Sequence, residues 1–439
     1  MKRKQFRNRQ TIEAHQLAAL RQLIATLLPS NPFYGAILQT AGLDAECADI
    51  DTFIKQMPVT TKQQIIEDQQ QYPPYGSNLT YPIEHYNRFS QTSGTTGSPM
   101  RWLDTPQDWQ WMLNNWKQVF EAASVCQDDR VFFSFSFGPF LGFWTAFESA
   151  TQQGFLCIPG GGMGSIARLH TIIDNRATIL CCTPTYAIRL GKIAVEQGIA
   201  TNQSLIRTII VAGEIGGSVP AVREQIERLW AGARVFDHHG MTEVGPVSFE
   251  NATHPGVLHL IESAYLVEII NPKTEEPVSG GETGELILTT LGRIGSPLLR
   301  YRTGDLVRRS IHDAQTLGRS EVAIDGGILG RTDDMVIVRG VNVYPSAVDQ
   351  IVRSEEQVIE YRVETCDSTG EIQNSSSMTE MKLIVEPAPQ CNDRQDLCNR
   401  LSHSLRNAFQ LRVPVEVVKP GRLPRFEFKA KRWVRRTAV

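Results

Sequence analysis

Between residues 131 and 240, short apolar runs and stretches of helical spacing take turns, and this alternation constrains the fold more than any other feature of the chain. VFFSFSF (131–137) alternates as a strand does, and GFLCIPG (154–160), ATILCCTP (177–184), LIRTIIVAG (205–213) and ARVFDHHG (233–240) read as further strands. Helices are expected between them, near 164–174, 185–197 and 218–230. Strands separated by helix-length crossovers pair in parallel and are covered by those helices. Glycine-bearing loops follow several of these strands, at the edge of the sheet where such folds bind ligands.

The pattern changes on both sides of this region. Residues 12–28 carry helical spacing that is expected to stop before Pro29, and 106–125 read as a helix entered through Asp104-Thr105-Pro106. From about 257, VLHLIES, AYLVEII and GELILTT are short strands punctuated by Pro and Gly, which predicts a distorted barrel or small antiparallel sheet. A second boundary falls in GILGRTDDMVIVRG (327–340), followed by a helix at 345–354, strands near 357–366 and 379–387, and a helix near 394–410. The fold class is therefore α/β. It comprises a large N-terminal domain (1–330) with mixed or parallel sheets under helices plus a small β-subdomain, and a small α+β C-terminal domain (331–439).

Bulk properties exclude several functions. A chain of 439 residues exceeds one ordinary core, and its net charge of −3 provides no basic field for nucleic acid. No run approaches the roughly 18 apolar residues that a membrane span needs. The eight cysteines contain no C-x-x-C pair, which predicts buried free thiols and a cytoplasmic setting.

Five motifs carry candidate chemistry. Ser90–Met100 reads SQTSGTTGSPM. Gly94 and Gly97 let its backbone curl, and Thr92, Ser93, Thr95 and Thr96 add hydroxyls to the backbone N–H groups that could wrap a triphosphate. It lacks Walker A spacing, and alone it is equally a flexible turn. Asp237–Gly245 reads DHHGMTEVG and places a planar side chain, a glycine, a hydroxyl and a carboxylate close together: His239, Gly240, Met241, Thr242 and Glu243. Glu243 has the oxygen donors that Mg²⁺ prefers. For His238 and His239, an ordinary strand-end pair competes with a histidine metal site. In Tyr301–Asp305, the carboxylate after a tight turn suits two ribose hydroxyls. Gly330-Arg331-Thr-Asp333 is the fourth motif, and PRFEFKAKR (424–432), with Lys429 and Lys431, is the fifth.

In order and spacing, the five motifs resemble the adenylate-forming superfamily of acyl-CoA ligases, luciferases and peptide-synthetase adenylation domains, and look most like its phenylacetate–CoA ligase branch. The resemblance covers roughly residues 85–435. It implies that Thr92, Ser93, Gly94, Thr95, Thr96 and Gly97 hold the β- and γ-phosphates of ATP. It sets His239 against adenine, with Gly240 and Met241 in the same nucleotide segment, Thr242 on the α-phosphate and Glu243 on Mg²⁺. Asp305 falls to the ribose with Arg331 as its neighbour, and Gly213 and Glu214 line the nucleotide and acyl sites. Asp333 is the implied hinge of a mobile C-terminal lid, and Lys429 the cation bridging acid and α-phosphate.

The chain also departs from the family. Ser98 stands where many members have lysine, and Phe428 where many have glycine, which makes Lys431 the fallback cation. The stretches matching a structural zinc site keep His254, His259 and His312 but hold no cysteine, so no structural zinc is expected. The implied reaction is ATP-dependent activation of a carboxylic acid to an acyl-adenylate, then thioester formation with coenzyme A. The aromatic-rich stretch 131–147 predicts an aryl or arylacetic acid, with Phe135, Phe137, Phe140 and Phe143 as pocket candidates. Three alternatives stay open: a carrier-protein phosphopantetheine as acceptor, AMP transfer onto a hydroxylated cofactor as in F390 synthetases, and nucleotide binding without catalysis. Neither nucleic acid nor membrane is an expected partner, and a homodimer is open.

Overall fold

The structure is a computed structural model describing residues 8–92, 99–332, 334, 336–339, 341–367, 379–426 and 431–436. Five parallel strands form its first sheet, in the order Leu156–Pro159, Arg130–Phe133, Ile179–Cys182, Thr208–Val211, Arg234–Asp237. The helices Trp144–Gln152, Ser165–Asp174, Pro184–Glu196 and Pro220–Leu229 are its crossovers. Two of them begin on proline, whose missing N–H is not needed in a first turn. Ile179–Cys182 and Thr208–Val211 are buried at every position, as strands covered on both faces must be. One face packs on Tyr186, Leu190, Ile226 and Trp230, while the other joins a larger core that reaches Leu286, Leu288 and Val307 of the second sheet.

The expected strand 131–137 stops at Phe133. Its neighbours end at Cys182 and Pro159, so no ladder remains beyond the bond from Ser134 N–H to the Cys181 carbonyl. Residues 134–143 instead form an aromatic loop over the end of the sheet. The first helix also departs from expectation, running Arg9–Ser30 with Pro29 inside it. A proline in a last turn removes one hydrogen bond at a place where the helix ends anyway, and the cap N–H of Asn31 still reaches the Leu27 carbonyl.

The second sheet is antiparallel and six-stranded, in the order Ser248–Glu250, Val257–Leu260, Ala323–Arg331, Tyr301–Arg309, Thr283–Thr290, Tyr265–Ile270. The N-terminal helices pack on it through Leu20, Ile24, Tyr34 and Phe53 against Leu266, Leu291 and Leu299. Beyond the hairpin Val336–Val338/Val341–Val343 a separate core forms. It joins the helices Pro345–Arg353 and Arg394–Phe409 to a four-stranded sheet ordered Val415–Val417, Thr379–Pro387, Val358–Asp367, Trp433–Arg436. Among the described residues no helix is long and apolar enough to cross a membrane.

Candidate active site

The strand Arg234–Asp237 delivers two histidines with different surroundings. His238 extends the sheet, its N–H bonding the Val211 carbonyl, and its ring turns inward. There Nδ1 lies 2.6 Å from the Ser248 carbonyl and the ring packs on Trp116 at 4.3 Å. Burial pushes its pKa down to about 3, so it stays neutral and structural. His239 faces the other way, and its Nε2 sits 2.9 Å from Asp305 Oδ2.

Asp305 and Arg331 come from adjacent strands and are cross-strand partners in the ladder. Arg331 Nη1 donates to Asp305 Oδ1 at 2.8 Å. The tight turn expected before Asp305 is instead part of the continuous strand Tyr301–Arg309, in which position 304 needs glycine, because Gly304 has φ +77 and a Cβ there would meet Arg331 Nη2 at 2.9 Å. His239, Asp305 and Arg331, read from three separate motifs, therefore form one cluster.

After His239 the chain makes a two-residue ladder, Gly240–Met241 against Gly245–Pro246, whose tip carries Thr242 and Glu243 half-buried. A Cβ at Gly240 would lie 2.9 Å from the Gly245 carbonyl oxygen, so the tight approach requires glycine. Burial raises the Glu243 carboxyl above the usual carboxylate range, against the opposing pull of Lys62 and Arg331. No other residue gives that carboxylate a hydrogen bond among those described. An unpaired, desolvated carboxylate beside a hydroxyl is a donor set that fits Mg²⁺.

The tip is held from behind by Arg293, a residue the sequence did not single out. Arg293 and Asp104 both have side chains with 0% exposure and are joined by two bonds, Nε to Oδ1 at 2.6 Å and Nη2 to Oδ2 at 2.9 Å. The remaining nitrogen, Nη1, donates to the carbonyls of Thr242 at 2.9 Å and Glu243 at 2.7 Å. Removing one partner of such a buried pair leaves the other charge stranded, typically at about 3–5 kcal/mol. The partner lies 189 residues away, so LGRIGSP reads locally as a plain loop.

Asp104 ends the hairpin Arg88–Gln91/Arg101–Asp104 that frames the Ser/Thr/Gly loop. Thr92 closes the base of that loop, its N–H on the Met100 carbonyl and its hydroxyl accepting from Met100 N–H at 3.0 Å. Ser93, Gly94, Thr95, Thr96 and Gly97 lie outside the described residues, as do Asp333 and Lys429. Lys429 is bracketed by two anchored arginines: Arg425 pairs with buried Glu386, and Arg432 Nε bonds Glu360 at 2.7 Å. Gly213 has φ +91 in the loop after Thr208–Val211, and Glu214 Oε1 accepts the Thr185 N–H at 2.8 Å in the first turn of the preceding helix, Pro184–Glu196. That carboxylate is thus committed locally.

The four pocket candidates divide. Phe135 and Phe143 stack at 4.4 Å and 17°, and Phe143 continues to Trp116, the ring that carries His238. Phe137 packs on Trp144 and Phe147. Phe140 is exposed, its ring lying over Gly138 and Gly142. The Pro139 carbonyl accepts Gln91 N–H at 2.6 Å, tying the aromatic loop to the base of the Ser/Thr/Gly loop. The three histidines of the cysteine-free stretches are neighbours: Asn251 lies 2.9 Å from His259 Nε2 through Nδ2 and 3.4 Å from His254 Nδ1 through Oδ1, and the rings of His254 and His312 are 6.0 Å apart.

Residues 89–292 match the family model for the AMP-binding enzyme, and residues 340–436 match that for the AMP-binding enzyme C-terminal domain. The chain is 30% identical over 433 residues to phenylacetate-coenzyme A ligase of Escherichia coli (strain K12), covering 96% of this chain and 94% of the relative. It is 28% identical to the phenylacetate-coenzyme A ligase of Thermus thermophilus, with 95% of each covered. Among solved structures it resembles 2-hydroxyisobutyryl-CoA ligase in the postadenylation state with an acyl-AMP bound. That match has a TM-score of 0.88 and 25% identity, and covers 98% of this chain and 90% of the other.

Proposed function

We propose a substrate and a division of labour for a chain that belongs to the AMP-binding, adenylate-forming enzymes on the phenylacetate–coenzyme A ligase branch and is an AMP-forming acid–CoA ligase. Its reaction joins a carboxylic acid to coenzyme A through an acyl-adenylate at the expense of ATP. The acid we propose is aromatic, of the arylacetic or benzoic type. The supporting observation is the aromatic loop 134–143, which is hydrogen-bonded to the base of the Ser/Thr/Gly loop and continues through Trp116 to His238, the chain neighbour of the His239 that bonds Asp305.

A carboxylate is a poor electrophile, and attack on the α-phosphate of ATP turns its oxygen into part of a good leaving group. The protein must place the acid in line and offset charge developing on phosphorus. In our reading Thr92 and residues 93–97 hold the β- and γ-phosphates, and Thr242 donates to the α-phosphate. Asp305 takes the ribose hydroxyls with Arg331 fixing its orientation, while His239 and the backbone of Gly240, Met241 and Gly213 border the base and acyl group. Glu243 holds Mg²⁺, which when bound supplies positive charge to the phosphate oxygens. Lys429 bridges acid and α-phosphate, and residues 331–439 turn about Asp333 between the two half-reactions. The eight free cysteines support a reducing, cytoplasmic setting.

A second reading, a short branched acid, is favoured by the buried Phe135–Phe143 stack, in which each ring already covers a face of the other. It is also favoured by the structural likeness to a ligase named for 2-hydroxyisobutyrate. Pyrophosphate release across arylacetic, benzoic, short branched and roughly 12-carbon acids decides between them. The aromatic proposal expects the highest kcat/KM from an aryl acid and falls if a branched or fatty acid matches it. Offering CoA and a phosphopantetheinylated carrier in the same assay separates the two thiol acceptors. Pyrophosphate release without any thiol-dependent AMP would favour AMP transfer onto a hydroxylated cofactor.

A further inference from the structure

We propose that Arg293 is a positioning residue for the adenylation step, holding the Thr242–Glu243 tip in register with the hairpin that frames the Ser/Thr/Gly loop. The inference rests on the reading of Thr242 and Glu243 given above. A guanidinium has five N–H donors in a fixed plane. Arg293 uses its Nε and Nη2 edge for Asp104 and turns Nη1 onto two consecutive carbonyls, those of Thr242 and Glu243. One nitrogen reaches both oxygens only if the two peptide units turn the same way. That constraint limits the directions in which the two side chains can leave the backbone, and both are half-buried. It also directs the two carbonyl dipoles into the protein, away from any anion bound at the tip.

The anchor at the other end matters as much. Asp104 closes the strand paired with Arg88–Gln91, and Thr92 follows that partner directly into the loop. The indole of Trp102, in the same hairpin, lies beside the guanidinium, 5.4 Å from ring centre to Cζ. Arg293 therefore spans two segments that meet opposite ends of a triphosphate. A buried guanidinium must pair its remaining N–H groups in any setting, as Arg300 does on the Ile54 and Met57 carbonyls; what is particular to Arg293 is that the carbonyls it takes are those of Thr242 and Glu243. Lysine, with one nitrogen, cannot serve a carboxylate edge and two carbonyls together.

The test compares Arg293→Lys with Arg300→Lys. Arg300 forms a similarly buried pair with Glu268, and its other contacts are the Ile54 and Met57 carbonyls, away from the tip. Each variant is assayed for acyl-adenylate formation as a function of Mg²⁺, and for thioester formation from a supplied acyl-adenylate and CoA. Arg293→Lys should lower adenylation at least tenfold, raise the Mg²⁺ concentration for half-maximal rate severalfold, and leave thioester formation within about twofold. Arg300→Lys should lower the melting temperature without moving the Mg²⁺ requirement. Asp104→Asn reads the same contact from its other end and should share the Mg²⁺ shift. An unchanged Mg²⁺ requirement, an equal loss in both half-reactions, or insolubility of both Arg293→Lys and Asp104→Asn overturns the proposal. Glu243→Gln run in parallel separates the two failures. If it too leaves adenylation intact, the reading of the tip fails; if it abolishes adenylation while Arg293→Lys does not, only this inference fails.

Discussion

His239 and Asp305 share a 2.9 Å hydrogen bond from Nε2 to Oδ2, which leaves the carboxylate held on both sides, since Arg331 occupies Oδ1 at 2.8 Å. The carboxylate is thereby oriented before nucleotide arrives. His239→Phe keeps a planar ring and removes the bond. It should raise the KM for ATP about fivefold to tenfold with kcat nearly unchanged, the mark of lost uniform binding. In a cycle with Asp305→Asn the coupling should reach about 1 kcal/mol, and effects that add to within ~0.3–0.5 kcal/mol would show the contact to be idle.

Glu243 is half-buried, and among the described residues no other side chain gives it a hydrogen bond, although Lys62 and Arg331 are near enough to draw its pKa down. Glu243→Gln should cut adenylation at least about a hundredfold, the scale of losing one strong electrostatic contact. Near-normal pyrophosphate release at saturating Mg²⁺ would remove the residue from the metal site.

On the proposed roles, Lys429 should separate the half-reactions. Lys429→Ala should lose about 3–4 kcal/mol of transition-state stabilisation in adenylation, two to three orders of magnitude. It should still convert supplied acyl-adenylate and CoA to thioester. Lys431→Ala should leave both steps nearly intact. If the two variants exchange behaviour, the tail is read one position pair out of register. If Lys429→Ala loses both steps, the lysine serves docking rather than chemistry.

The Phe135–Phe143 stack makes a specificity prediction. Phe143→Ala opens the aromatic wall and should improve kcat/KM for bulky aryl acids over short acids by about tenfold, within the 1–3 kcal/mol that small pocket changes supply. Lower thermal stability should accompany it, since a Phe→Ala cavity costs roughly 3–5 kcal/mol. A preference that does not move would place the acid elsewhere.

Acid sensitivity follows from His259, buried against Asn251 and with its pKa pushed down to about 4 by desolvation first and Arg319 second. The folded state then binds fewer protons than the unfolded chain between about pH 4 and the ordinary histidine value near 6.5, so stability falls as pH drops through that window. The slope is about 1.4 kcal/mol per unit for one group. His259→Gln should flatten the pH dependence of unfolding between pH 6.5 and 4 relative to the parent. An unchanged difference curve would mean that the ring titrates freely.

What could be read from the sequence followed from periodicity and local chemistry. The helix predicted over 345–354 is Pro345–Arg353 and that over 394–410 is Arg394–Phe409, because apolar spacing and caps are local signals. Pro29 and VFFSFSF misled because a helix end tolerates proline and a strand needs a neighbour, and both depend on what surrounds them. The motifs holding His239, Asp305 and Arg331 were legible, and the resemblance implied Arg331 as the neighbour of Asp305, where the strand register has it; the bond from His239 to Asp305 was not legible, since it joins two sheets. Arg293 left no local trace: its meaning lies in an aspartate on another sheet.

That long reach has a consequence for how the molecule comes into being. Contacts between residues far apart in sequence must overcome loop-closure entropy before they reward it. A nascent chain exposes the hairpin ending at Asp104 and the tip at Thr242 well before Arg293 has been synthesised. A fragment cut anywhere between 244 and 292 would likewise carry both segments proposed to face the phosphates without the side chain that joins them. Mixing such a fragment with its complement should therefore restore the geometry of the tip only when the two halves dock, which makes the 244–292 interval the natural place to split this enzyme into pieces that are silent apart.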